Sequence, residues 1–152
     1  MTRIILTLLI VLPQFLGAQD KEAILKILDN QVQSWNKGDL DQFMVGYWNN
    51  DSLMFIGSSG INHGYQEALN HYKKAYSDTA KMGKLRFELI ELKQLSPDYY
   101  HVTGKFFLKR SVGDLNGVYT LLFRKIMGVW VIVSDHSSSS LQGILLRRLH
   151  LT

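Results

Sequence analysis

Two adjacent side chains near the end of this sequence, Asp135 and His136, could move a proton. A carboxylate and an imidazole on a segment rich in β-branched residues can serve as general acid or base near neutral pH. Neighbours on a strand point to opposite faces of a sheet, so only one of the two can face a pocket unless a β-bulge intervenes. The catalytic candidates are therefore His136 or Asp135 rather than a dyad. The alternative for His136 is a structural histidine, hydrogen-bonded at the strand end.

The remaining candidates for metal or cofactor chemistry are weak. His63, His71, His101 and His150 fall on different predicted elements, and the sequence contains neither HxH nor HExxH. It has no cysteine, and therefore no thiolate. It also lacks a glycine-rich phosphate loop and a GxSxG elbow. The sequence predicts no metal site and no cofactor.

The acid and the histidine stand at the end of a long predicted β-hairpin. Its arms, Val118 to Ile126 and Val129 to Asp135, are rich in β-branched and aromatic residues and are separated by Met127 and Gly128. Glycine can adopt the positive φ that a tight turn requires. Both faces of the second arm carry apolar side chains, so we expect helices to cover one face and a partner subunit to cover the other.

Helices and further strands must position this hairpin. Asp20 could cap a first helix, Asp39 could cap a second, and turn residues separate the segments that follow. The predicted helices are Lys21 to Asn36, Leu40 to about Trp48, and Tyr65 to about Asp78; the predicted strands before the hairpin are Ser52 to Ile56, Lys84 to Leu95, and Tyr99 to Val112. Three helices followed by successive antiparallel strands predict an α+β fold, with the helices laid across one face of a strongly curved sheet.

The N-terminus reads as a secretory signal peptide. Arg3 precedes an apolar run from Ile4 to Leu12, and Leu16-Gly17-Ala18 offers a small-residue cleavage site. We expect residues 1–18 to be removed and the protein to be periplasmic or secreted, with membrane contact only through the transient signal peptide. The alternative is an amphipathic or buried first helix.

Charge and the C-terminal tail add two further expectations. The net charge of +4 does not indicate nucleic-acid binding, because lysines are scattered among acids and an exported protein rarely meets nucleic acid. Residues 141–152 carry an apolar stripe opposite Arg147 and Arg148. This short tail is expected to pack on its own dimer or to fray rather than to bind a membrane.

Three motifs carry a family resemblance: WNKGDLDQF from Trp35, NHG from Asn62, and GVWVIVSDHSS from Gly128. Together with the order of elements they resemble the SnoaL-like branch of the nuclear transport factor 2-like superfamily, over residues 19–140. The ending also resembles the association (hub) domain of calmodulin-dependent kinase. The resemblance implies a cone-shaped α+β barrel with three N-terminal helices on a curved, mainly antiparallel sheet. It also implies a homodimer joined through its sheets and a pocket between sheet and helices.

The resemblance also places a pocket on this sequence. By comparison with the hub domain, pocket positions fall near Phe43, Tyr76, Gly104, Leu121 and Ser137. The strand positions carry arginine in the hub and none does here, so bidentate recognition of a carboxylate is not supported. The implied pocket is instead aromatic, and its predicted ligand-binding residues are Phe43, Tyr47, Tyr72, Tyr76, Tyr119 and His136. The alternative is that these rings simply fill the core.

Members of this superfamily include isomerases, dehydratases, polyketide cyclases, transport factors and oligomerisation modules, so the fold does not choose the function. The first hypothesis is a secreted domain that binds a small organic molecule in the aromatic pocket. The second is an isomerase, dehydratase or hydrolase-type enzyme that uses His136 or Asp135 as general acid or base. The third is an oligomerisation module without a ligand.

Overall fold

The structure is a computed structural model and describes residues 14–139, with side chains from residue 17. The tail from 141 and most of the predicted signal peptide lie outside that range. The elements are α1 (Gln14–Lys37), α2 (Leu40–Met44), β1 (Met54–Gly57), β2 (Gly60–His63), α3 (Tyr65–Ala75), α4 (Thr79–Met82), β3 (Lys84–Ser96), β4 (Tyr99–Lys109), β5 (Leu115–Ile126) and β6 (Val129–Ser139). No helix within this range is long and apolar enough to cross a membrane.

The six strands form one sheet in the order β2-β1-β6-β5-β4-β3. Every neighbouring pair is antiparallel except β1 and β6, which run parallel. The sheet is curled but unclosed, and the helices pack on its concave face. The predicted α+β class is confirmed. The cone implied by the resemblance is open along the β2 and β3 edges.

The first helix buries one stripe against the sheet. Ile24, Leu28 and Trp35 recur at helical spacing and are buried, as is Gln31 in the same stripe. The prediction that Asp20 caps this helix is wrong, because α1 begins at Gln14 and continues through Asp20. The Asp20 carboxylate instead accepts hydrogen bonds from strand residues far along the chain. The predicted cleavage after Ala18 falls inside α1 and stays a prediction.

An aspartate cap marks the start of both short helices, α2 and α4. Asp39 caps α2 as predicted, and its Oδ1 accepts a hydrogen bond from the Gln42 backbone N–H at 2.9 Å. The third helix ends at Ala75 rather than near Asp78. Asp78 instead caps α4, which was not predicted, by accepting from the Lys81 backbone N–H at 2.8 Å.

The hairpin of β5 and β6 forms around the predicted turn. Met127 and Gly128 both have positive φ, 50° and 81°, as a two-residue type I′ turn requires. The concave side of β5 carries Tyr119, Leu121 and Phe123, all buried. This hairpin occupies the middle of the sheet and therefore faces the helices directly.

Candidate functional site

A cavity of about 110 Å³ lies between the concave face of the sheet and helices α1 to α3. Nine of its lining residues are aromatic: Trp35, Phe43, Tyr47, Phe55, Tyr72, Tyr76, Phe87, Phe106 and Tyr119. The polar side chains among the lining residues are Gln31, Ser58, His71, Asp135, Ser137 and Ser139. The five predicted aromatic residues, Phe43, Tyr47, Tyr72, Tyr76 and Tyr119, all line it.

A β-bulge in β6 decides which catalytic candidate faces this cavity. Leu122 pairs with Ser134, yet the next residue, Phe123, pairs with Ile132, so Val133 is an extra residue in β6. Trp130 and Ile132 point inward before the bulge. Strict alternation from them would turn His136 inward, but the bulge turns Asp135 inward instead.

His136, by contrast, is exposed and is not among the lining residues. The structure therefore places this predicted site residue on the outer face of β6. Asp135 and His136 do not act on the same cavity. Of the two catalytic candidates, only Asp135 is positioned to contact a molecule there.

Asp135 is a buried carboxylate without a cationic partner at hydrogen-bond distance in the described residues. Its side chain is 3% exposed, and it accepts hydrogen bonds from Tyr47 Oη at 2.6 Å and from Ser137 Oγ at 3.0 Å. Burial raises the pKa of Asp135 to about 6, although the two hydrogen bonds and the charge of His136 oppose the rise. The group therefore changes its protonation state close to neutral pH.

The cavity tyrosines keep their protons. Burial and the negative charge of Asp135 raise the pKa of Tyr47 and of Tyr72 well above the usual value, and that of Tyr119 to about 12. The hydroxyl oxygens of Tyr47 and Tyr72 lie 3.4 Å apart. At neutral pH these hydroxyl groups are therefore protonated and do not act as bases.

Two buried polar atoms of the cavity have no hydrogen-bond partner among the described residues. They are Gln31 Oε1 and Tyr119 Oη. The amide nitrogen of Gln31 is occupied, since it donates to the Phe43 carbonyl at 3.4 Å. Buried polar atoms are nearly always hydrogen-bonded, so two orphans in one cavity are unusual.

Gly104 fixes the position of the Tyr119 ring. The two residues are opposite each other on β4 and β5, and a Cβ on Gly104 would lie 2.4 Å from Tyr119 Cζ and Oη. Only glycine leaves room for the ring to lie across the neighbouring strand. The hub comparison selected this position, and its contribution here is the space that it leaves rather than a side chain.

His71 and Gln31 are lining residues that the sequence reasoning did not select for the site. His71 is half-buried on α3, and burial, followed by the charge of Lys74, lowers its pKa. Its ring lies beside Phe55, with centroids 5.3 Å apart. Gln31 carried a readable signal, because it is the polar member of the otherwise apolar stripe of α1. Among residues 14–139, no three His, Asp or Glu side chains are grouped to hold a metal ion.

Comparison with known proteins places this geometry in context. The model of the SnoaL-like domain matches residues 24–142. An NTF-2-like protein of unknown function from Shewanella oneidensis is 43% identical, with a TM-score of 0.74 over 78% of this chain and 98% of that chain. No curated protein matches the sequence.

More distant structures share the fold alone. A ketosteroid isomerase-like protein from Erwinia carotovora is 17% identical, with a TM-score of 0.64 over 78% of this chain and 94% of that one. A hexachlorocyclohexane dehydrochlorinase from Novosphingobium barchaimii is 16% identical, with a TM-score of 0.71 over 84% of this chain and 90% of that one.

Proposed function

Because the chain belongs to the SnoaL-like domain family, we propose that it is a binding domain for a small, partly apolar organic molecule held in the cavity beneath the sheet. Export to the periplasm or beyond, and assembly as a homodimer, belong to the same proposal. They rest on the signal-like N-terminus and on the family resemblance.

One observation carries the binding proposal: Gln31 and Tyr119 line the cavity, and their buried Oε1 and Oη atoms have no hydrogen-bond partner in the described part of the chain. Each unsatisfied buried polar group costs about 1–3 kcal/mol. A core that was only packing would gain stability by replacing both groups with apolar ones. A ligand with an apolar body and a polar end would satisfy the two atoms and cover the aromatic rings.

The cavity volume sets the size of that molecule. At about 110 Å³, it approaches the roughly 150 Å³ of an apolar cavity that binds benzene. The expected ligand is therefore about one ring in size. Larger molecules would need the open edge of the cone.

A matched pair of variants tests the binding proposal. Ser137 lines the cavity, whereas its neighbour Ser138 is exposed and does not. One-ring compounds should raise the melting temperature of the wild type and of Ser138→Phe by several degrees. They should have no effect on Ser137→Phe, whose new ring occupies the cavity. Stabilisation that persists in Ser137→Phe, or a wild type that no compound stabilises, contradicts the proposal.

A second candidate function is proton transfer by Asp135. The observation in its favour is a carboxyl group in the cavity wall with its pKa raised to about 6, near the value that general acid–base catalysis uses at neutral pH. Asp135 would take a proton from the bound molecule, and the Tyr119 hydroxyl would donate a hydrogen bond to the oxygen that becomes negative. This chemistry suits an isomerase or a dehydratase.

Deuterium exchange separates this enzyme hypothesis from simple binding. A compound that stabilises the protein would be incubated with it in D₂O, and deuterium incorporation at carbon would be followed by NMR. Wild type should catalyse exchange, with a rate that rises as the pH passes about 6, and Asp135→Asn should not. His136→Gln is the control, since it changes a neighbouring side chain outside the cavity. No exchange in the wild type contradicts the enzyme hypothesis.

A further inference from the structure

The lining of the cavity carries a charge imbalance. Among the described lining residues, Asp135 is the only acidic one, and none is lysine or arginine. The one imidazole of the lining, His71, has its pKa lowered by burial and is neutral at pH 7 and above. The chain as a whole carries a net charge of +4. Within residues 14–139, this basic protein therefore places no lysine or arginine in the lining around the buried Asp135 carboxylate.

Asp135 and Gln31 both leave hydrogen-bond acceptors unused. The hydroxyl protons of Tyr47 and Ser137 are already directed at Asp135, and the Gln31 amide nitrogen donates to a backbone carbonyl. Gln31 Oε1 is a free acceptor that cannot donate, and Asp135 retains unused lone pairs when ionised. Tyr119 Oη can donate, and so can the hydroxyls of Ser58, Tyr76 and Ser139 elsewhere in the lining. A ligand that reaches both Asp135 and Gln31 Oε1 must still supply a donor to each.

The aromatic rings add a third preference for the same ligand. Trp35, Phe43, Tyr72 and Tyr76 form a connected cluster of rings with centroids 4.7 to 6.1 Å apart. Ring faces attract cations through the quadrupole of the π system, most strongly when water is excluded. Carboxylate, free acceptor and ring faces thus all favour positive charge.

We propose that the ligand of this cavity is a small organic cation: an ammonium group, which has N–H donors and no acceptor, on an apolar body of about one ring. This inference rests on the proposed binding function and names its ligand class. The ammonium group pairs with Asp135 and donates to Gln31 Oε1, and the apolar body contacts the aromatic rings. A carboxylate ligand would face Asp135 with like charge and would find no lysine or arginine among the described lining residues.

Binding of such a cation depends on pH through Asp135. The titratable groups that face this carboxyl are Tyr47 from the segment after α2, Tyr72 from α3 and Tyr119 from β5, with His136 next to it on β6. The tyrosines stay neutral across the accessible range. Affinity for an ammonium ligand should therefore fall as the pH is lowered through about 6, where Asp135 takes up a proton.

Three probes of one size and different charge test the inference: benzylamine, which is protonated below pH 9, benzyl alcohol and benzoate. Their dissociation constants for the full-length protein would be measured by calorimetry at pH 7.5 and pH 5. Benzylammonium should bind at least tenfold more tightly than benzyl alcohol at pH 7.5, and benzoate should bind most weakly. At pH 5 the preference for benzylammonium should shrink to less than threefold.

Two variants assign the preference to the carboxylate. Asp135→Asn should bind benzylammonium no more tightly than benzyl alcohol at pH 7.5, and His136→Gln should keep the tenfold preference. The comparison of pH 7.5 with pH 5 uses the wild type alone, so it tests the role of the carboxylate even if Asp135→Asn does not fold. Equal or tighter binding of benzyl alcohol or benzoate to the wild type overturns the cation inference and leaves the binding function standing. If no probe of any charge binds, both are overturned.

Discussion

The two ends of the β5–β6 hairpin each hold a desolvated aspartate, and the two have opposite electrostatics. At the turn end, Asp20 of α1 accepts hydrogen bonds from Lys125 Nζ at 2.7 Å and Trp130 Nε1 at 2.9 Å. At the cavity end, Asp135 accepts from Tyr47 and Ser137 only. Each carboxylate thus has two donors, but only Asp20 has a cation among them.

The pKa values of the two aspartates differ because one has a cationic partner, since both accept two hydrogen bonds. Burial alone would raise the pKa of both groups. For Asp20 the hydrogen bonds from Lys125 and Trp130, with the lysine charge, outweigh burial and leave the pKa lowered. For Asp135, two neutral donors do not outweigh burial, and the pKa rises to about 6. The turn end is therefore a completed structural contact, and the cavity end is left available to a ligand.

The largest expected effect is the pH dependence of stability at the cavity end. The native pKa of Asp135, about 6, exceeds the ordinary value of 3.8, so the native state binds the extra proton between these values. Its contribution to the free energy of unfolding should then fall by about 3 kcal/mol as the pH rises from 3 to 7. Urea unfolding should show Asp135→Asn gaining stability relative to wild type over this window. The exposed variant Ser138→Ala on the same strand should run parallel to wild type; a parallel Asp135→Asn curve would contradict the raised pKa of Asp135.

The next largest effect is expected at the turn end. Lys125→Met leaves the Asp20 carboxylate, whose side chain is 13% exposed, without its cation. We expect a loss of about 2 kcal/mol in the free energy of unfolding at pH 7, because a desolvated charge loses its partner. Lys105→Met is the matched control: its ion pair with Glu88 at 3.6 Å is about half exposed and should contribute less than about 0.5 kcal/mol. Equal losses in the two variants would mean that the Asp20 contact is ordinary surface pairing.

The smallest effects distinguish the two kinds of tyrosine in the cavity. Tyr47→Phe removes a 2.6 Å hydrogen bond to Asp135 and should cost about 1.5 kcal/mol at pH 7. Tyr119→Phe removes a buried hydroxyl without a hydrogen-bond partner in the described residues and should raise the free energy of unfolding by about 1 kcal/mol. Both substitutions keep the ring, so urea unfolding compares the hydroxyls alone. A Tyr119→Phe loss as large as that of Tyr47→Phe would show that its hydroxyl is already satisfied within the protein.

Much of the fold could be predicted because it depends on local patterns. The alternation along β5 placed Tyr119, Leu121 and Phe123 on one face, and the Met127-Gly128 turn joined two neighbouring strands. The aromatic residues Tyr72 and Tyr76 lay on one side of α3 by helical spacing, and both line the cavity. These predictions are confirmed because short-range periodicity depends only on neighbouring residues and not on distant contacts.

The electrostatics of the site depended on partners far apart in the sequence. Asp20 looked like a helix cap, but its partner Trp130 lies 110 residues away along the chain. The donor to Asp135, Tyr47, lies 88 residues from it. A carboxylate in a sequence does not reveal whether a cation or a hydroxyl will reach it, so neither pKa could be read from local pattern.

The sequence by itself determined the α+β class and the central hairpin, because helical and strand periodicity sort side chains by face. The family resemblance added five of the nine rings that line the cavity. Only the tertiary structure decided between Asp135 and His136. One extra residue, Val133, sits opposite Phe123 and reverses the alternation beyond it. A bulge is specified by how β6 must bend to pair with both β5 and β1, and that constraint exists only once the strands have come together.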